Sequence, residues 1–141
     1  MANDLRSLIR LHEWHVDQKR RELGQLLQQV ADIEVQASDL ERDLKAELTA
    51  ASGDPMEGGF LFGNYSRHVI SRREELAQSL VNAENAMIVV RDALRDAHRE
   101  LKKYEIVKEK RDLEEARELD RKEQIVLDEL GVQAYRQRRR G

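Results

Sequence analysis

One stretch of the sequence limits the fold more than any other: about Ser66 to Arg138, without proline and with a single glycine, Gly131, whose first half carries apolar residues at alternating spacings of four and three. These residues are Val69, Leu76, Leu80, Ala83, Met87, Val90, Leu94, Ala97, Leu101 and Tyr104, with one interruption at Arg73. A mean spacing of 3.5 keeps one narrow stripe of an α-helix turned toward a partner helix. The same register beyond Tyr104 reads Lys108, Arg111, Glu115, Glu118 and Lys122, so the seam fades. The helix signal persists there, because Lys, Arg, Glu, Leu and Ala all favour helix. One long helix, half paired and half unpaired, is the expectation.

A second seam precedes it. Ile9, Val16, Leu23, Val30, Ala37, Leu44 and Ala51 repeat every seven residues. Leu5, Leu26, Ile33 and Leu40 fill the other seam position, with His12, Lys19 and Glu47 as its polar entries. Asn3 or Asp4 can cap the start of this helix. Ser52-Gly53-Asp54-Pro55 ends it, with glycine suited to a left-handed C′ position and proline unable to continue. The expected organisation is one domain over 1–141: a helix over about 4–52, a loop over about 53–63 holding Gly58, Gly59 and Gly63, and a helix over about 64–138 capped by Asn64 or Ser66. A loop this short makes the helices antiparallel neighbours. The fold class is therefore all-α, an antiparallel two-helix coiled-coil hairpin whose longer second helix overhangs at the C-terminal end. Pairing outward from the loop leaves about 25 residues without a partner, roughly 35–40 Å at 1.5 Å per residue.

Charged residues are 38% and aromatic residues 4% of the 141, too polar for a broad core yet well matched to long helices. A disordered chain of the same polarity has no reason to hold heptad phase. The net charge of −3 argues against a general nucleic-acid footprint. With no cysteine there is neither a disulfide framework nor a Cys-ligated zinc site. Asp4, Arg6 and Arg10 interrupt any signal-peptide pattern, and no apolar run reaches membrane-span length. A soluble, cytosolic protein is expected.

Catalytic chemistry is not expected. His12 and His15 stand three apart on a helix, but no third ligand is placed to join them, so no metal is assigned. The glycines of the connection lack the Gly-Lys-Ser/Thr ending of a phosphate loop. No nucleophile elbow or distinct carboxylate pair occurs, no cofactor is implied, and two helices offer little concavity. The expectation is a protein that is not an enzyme.

Several apolar residues lie off the seams. Leu8, Leu11 and Trp14 on the first helix fall level with Ile106, Val107 and Leu113 on the second. They read either as a locally wider core or as a docking face for a partner. Phe60-Leu61-Phe62 either folds back over the end of the hairpin or forms an exposed tip. Lys110–Glu114, Arg111–Glu115 and Glu118–Lys122 are pairs suited to supporting the overhang. Ile125, Val126, Leu127, Leu130, Val132 and Tyr135 form a last apolar group, followed by basic Arg136, Arg138, Arg139 and Arg140.

The run Arg121-Lys-Glu-Gln124-x-x-Leu127-Asp128-Glu129-Leu130, with basic residues closing the chain, resembles the charged C-terminal segment of the flagellar export protein FliJ family and its type III secretion stalk relatives. The likeness covers essentially the whole chain as an architecture, and the opening Asn3-Asp-Leu-Arg-Ser-Leu-Ile is compatible with it. Gly131 within the last helix departs from the pattern, and a helix end or kink is expected there. The resemblance implies a cytoplasmic component, peripherally associated with the inner-membrane export apparatus. It further implies a stalk-like adaptor that engages the hexameric export ATPase and the cytoplasmic domain of the export-gate membrane protein, and that cycles export chaperones. On that reading the partner-binding residues are Leu8, Leu11, Trp14, Ile106, Val107, Leu113, Arg117, Arg121, Gln124, Leu127 and Leu130. The alternatives are a hairpin holdase working through Phe60 and Phe62, an anion binder led by the arginine tail, and a dimeric coiled-coil scaffold.

Overall fold

A computed structural model describes the backbone of residues 2–53 and 57–140, and the side-chain surroundings of residues 4–53 and 62–140. Two helices account for it: α1, Ala2–Ala51, of 50 residues, and α2, Glu57–Arg140, of 84 residues. The described residues contain no strand. The fold is the all-α, two-helix arrangement with a longer second helix that the seams require. It divides into two compact units, residues 14–97 and residues 1–13 with 98–141.

In the unit of residues 14–97 the two helices pair along their seams. Val16, Val69, Leu76, Ala83 and Met87 are buried, with Val69 only 1% exposed. Leu23, Leu26, Val30, Ile33, Ala37, Leu40 and Leu44 are half-buried at the heptad positions of α1. Each helix therefore contributes a narrow stripe and leaves the rest of its circumference to water, as expected for a pair without a third layer. Arg73 interrupts the seam of α2 without leaving an isolated charge. Its guanidinium forks onto Glu41 of α1, Nη2 donating to Oε2 at 2.6 Å and Nε to Oε1. One residue earlier, Arg72 donates to the Gln36 amide oxygen at 2.9 Å.

The connection differs from the sequence expectation in three ways. α2 begins at Glu57, so Gly58, Gly59, Gly63, Asn64 and Ser66 are helical rather than loop or cap. Glycine costs a helix about 1 kcal/mol but does not forbid it, and the seam runs one heptad further back than expected. Phe62 and Ser66 are half-buried ahead of Val69. Gly53 does not adopt the left-handed conformation, since no described residue has a positive φ. α1 closes instead on a tightened turn, with Gly53 N donating to Ala50 O at 3.2 Å and Ser52 N to Leu48 O at 3.1 Å. The Ser52 hydroxyl donates to Thr49 O at 2.7 Å. Asn3 and Asp4 likewise lie within the first turn of α1, where Asp4 complements the positive helix end. The surroundings of Phe60 lie outside the described residues.

The unit of residues 1–13 and 98–141 is smaller in its packing. Leu5 and Ile9 are buried, and Leu101, Tyr104 and Lys108 are half-buried on α2. His12, a polar seam entry, lies flat on Tyr104 with ring centroids 4.8 Å apart and planes inclined by 19°. From Glu109 to Arg140 every residue of α2 is exposed. That is a helix of roughly 45–50 Å with no covering element at 1.5 Å per residue, longer than the sequence count suggested. Gly131 neither ends nor interrupts it.

Candidate partner-binding site

The uncovered part of α2 owes its helicity to composition more than to cross-links. Among the described residues its ion pair is Lys108–Asp112 at 3.9 Å. The expected pairs Lys110–Glu114, Arg111–Glu115 and Glu118–Lys122 are not closed; exposed side chains of this length gain little from being held together. Gln124 donates its amide to Asp128 at 3.2 Å, one turn on.

The apolar residues are arranged in lines. Ile106, Leu113 and Leu127 share one line at heptad intervals, with Asp120 in the remaining slot. Leu130 lies one turn beyond Leu127, and all four apolar side chains are exposed. Arg117, Arg121 and Gln124 border that line on one side. Val107 falls on the same side, one residue before seam position Lys108. Leu8 and Leu11 each fall one residue before a seam position of α1, Ile9 and His12. In an antiparallel pair, positions one residue before the seam point to the same side of both helices, because the helices wind in opposite senses seen from one end. Leu8, Leu11 and Val107 therefore belong to one exposed side of this unit, continuing into Arg117, Arg121 and Gln124. Leu130 lies to the other side of the Ile106–Leu127 line.

Trp14 belongs to the other unit, where it is 55% exposed and meets His15 edge-on at 5.3 Å. The sequence reading missed Leu119, which is as exposed as its neighbours. It lies one turn beyond Ala116 and seven residues before Val126, a spacing that could have revealed it. Lys122, Glu123, Val126 and Leu127 line one shallow depression on this helix, and Ile125, Asp128, Glu129, Val132, Gln133 and Arg136 line another. Both are open hollows on a single helix, suited to side chains of a protein partner rather than to enclosing a small molecule.

The described residues contain no group of three or more His, Asp or Glu side chains placed to hold a metal. No described helix is long and apolar enough to cross a membrane.

A family model for the flagellar FliJ protein matches residues 1–140. The chain belongs to the FliJ family. Flagellar FliJ proteins of two Caulobacter vibrioides strains, NA1000/CB15N and CB15, are each 29% identical to it over 126 residues. Each alignment covers 89% of this chain and 90% of the relative. No solved structure matches it. As a FliJ-family member the chain is a component of flagellar protein export.

Proposed function

We propose that this FliJ-family chain is a non-enzymatic, stalk-like adaptor of the flagellar export apparatus, engaging the hexameric export ATPase through the uncovered part of α2. The observation that carries this reading is the run from Glu109 to Arg140, helical throughout and exposed at every residue. A helix of this length retains large apolar side chains in water, Leu113, Leu119, Leu127 and Leu130 among them, when a partner covers them. Arg117, Arg121 and Gln124 border the apolar line and supply polar contacts to set its orientation. Leu8, Leu11, Ile106 and Val107 extend the contact onto the paired part of the same unit, and Trp14 is a separate aromatic anchor. Binding to the cytoplasmic domain of the export gate, cycling of export chaperones, and peripheral residence at the inner membrane belong to the same reading.

The test is ATP hydrolysis by the purified export ATPase as this protein is added, with assembly size followed by light scattering. Faster hydrolysis and larger assemblies are expected. A chain ending after Asp112 is expected to remain helical and to lose the stimulation; full stimulation by that truncated chain would show the assignment to be wrong.

A further inference from the structure

The two exposed sides of the helix pair in residues 14–97 differ in chemistry. One side carries Gln29, Asp32, Gln36, Arg72, Ser79 and Asn82 as the polar rim of a groove floored by seam residues such as Leu26, Ile33 and Leu76. The Arg72–Gln36 hydrogen bond bridges it, and Val89 is its one large exposed apolar residue among the described residues of α2 there. Each of the rim residues stands one place before a seam position, which turns them to a common side. The other side is reached from positions one residue after the seam. There α2 presents a single line at heptad intervals: Glu74, Val81, Ile88 and Arg95. Val81 is 48% exposed and Ile88 is 56% exposed. The corresponding line of α1 holds Gly24, Ala31 and Ser38, all small and exposed. A Cβ placed on Gly24 meets nothing within 4 Å.

Between Glu74 and Arg95 charge on this side is divided along its length: Glu34 and Glu74 lie nearer the turn and Arg91 and Arg95 farther from it, while Arg67 and Lys45 follow only beyond Glu74 toward the turn. Glu34, Glu74, Arg91 and Arg95 carry no ion pair across the helix pair among the described residues, whereas Glu41 is engaged by Arg73 and Asp17 approaches Arg20 at 3.9 Å. Over Glu74, Val81, Ile88 and Arg95 the order acid, apolar, apolar, base is complementary to its own reverse. A two-fold axis crossing the line between Val81 and Ile88 brings each side chain onto a fitting one. We propose that this face binds a second copy of the chain, forming an isologous four-helix contact in which α2 of each copy lies antiparallel over α2 of the other. The register sets Val81 over Ile88 of the second copy and Glu74 beside its Arg95. The small residues of α1 let the two copies approach closely. A foreign amphipathic helix would cover Val81 and Ile88, but it gives no reason for the two charged ends to match each other. Glu84 lies beside the line and close to the axis, where its two copies approach each other and weaken the contact.

This pairing uses residues separate from the ATPase contact proposed above and does not depend on it. The test is sedimentation velocity on the full chain over a concentration series, with helicity followed by circular dichroism. A concentration-dependent dimer is expected. Val81→Lys with Ile88→Lys is expected to leave the chain helical and to weaken dimerisation by at least about tenfold, as for central apolar contacts. Glu74→Arg alone is expected to weaken it, and Glu74→Arg with Arg95→Glu to restore it, a rescue that no general loss of structure could produce. Glu84→Gln is expected to tighten the dimer. A monomer at every concentration, a dimer indifferent to Val81 and Ile88, or a charge-swapped double variant no better than the single one would each overturn the proposal. So would a dimer weakened by Glu84→Gln, or capture of a different export component on this face by a chain that stays monomeric.

Discussion

Arg73 occupies a position where a heptad seam calls for an apolar side chain, and its fork onto Glu41 replaces the missing packing with a directed ion pair. The hydrogen bond from Arg73, ahead of its charge and that of Lys45, holds the Glu41 carboxyl below its ordinary value near 4.5. Arg73 is correspondingly pushed up by the same bond. A carboxylate whose folded-state pKa is lowered favours folding above its unfolded value and loses that contribution as pH falls through the folded one. The chain is therefore expected to lose melting temperature below about pH 4.5 more steeply than its Glu41→Gln variant, by a small margin because the pair is exposed. Parallel melting curves for the two proteins at descending pH check this. At Leu76, which is buried in the seam, Leu76→Ala is expected to cost about 2–4 kcal/mol in chemical denaturation, through lost transfer and an unfilled gap. The ring contact of His12 with Tyr104 is a gentler case. His12→Ala is expected to lower stability by about 0.5–1.5 kcal/mol, typical of aromatic pairs.

At the scale of the element, the seams were legible because burial follows them at nearly every position, Glu47 and Arg73 excepted: Leu5, Ile9, His12, Val16 and Lys19 are buried or half-buried positions the heptads name. The start of α2 was not legible. Gly58, Gly59 and Gly63 carry a strong local signal for loop, and the helix there is favoured by packing of Phe62, Tyr65 and Val69, which local propensity does not register. The polar entry at Arg73 was visible, but its partner was not, since Glu41 stands off the seam of α1. For the candidate site, exposure of Leu113, Leu127 and Leu130 was readable from the fading seam. The separation of Trp14 from Leu8 and Leu11 was not, because helix phase alone does not divide a chain into packing units. Gly131 is helical, and a Cβ there would meet nothing within 4 Å. Gly131→Ala is therefore expected to raise the stability of the uncovered helix by about 0.5–1 kcal/mol, seen as slower amide exchange in the last turns of α2.

At the scale of the molecule, the chain spends its sequence on surface. Among the described residues, seven buried apolar side chains are distributed along two helices. They are enough to hold a pair in register, while the larger apolar side chains of the C-terminal segment stay exposed. On the function proposed above, a partner reads several turns of that helix at once. Seam pairing also has a consequence in time. Residues that meet across the seam are separated by more chain the farther they lie from the connection. Pairing within residues 14–97 near the connection therefore closes shorter loops than pairing of residues 1–13 with those from 98 onward. Loop closure grows costlier with length, so assembly should start at the connection and zip toward the chain ends, with opening in the reverse order. The end that opens first is the one bearing Leu5, Ile9 and the His12–Tyr104 stack. A FliJ-family chain built this way can loosen the N-terminal turns of α1 before the pairing of residues 14–97 opens.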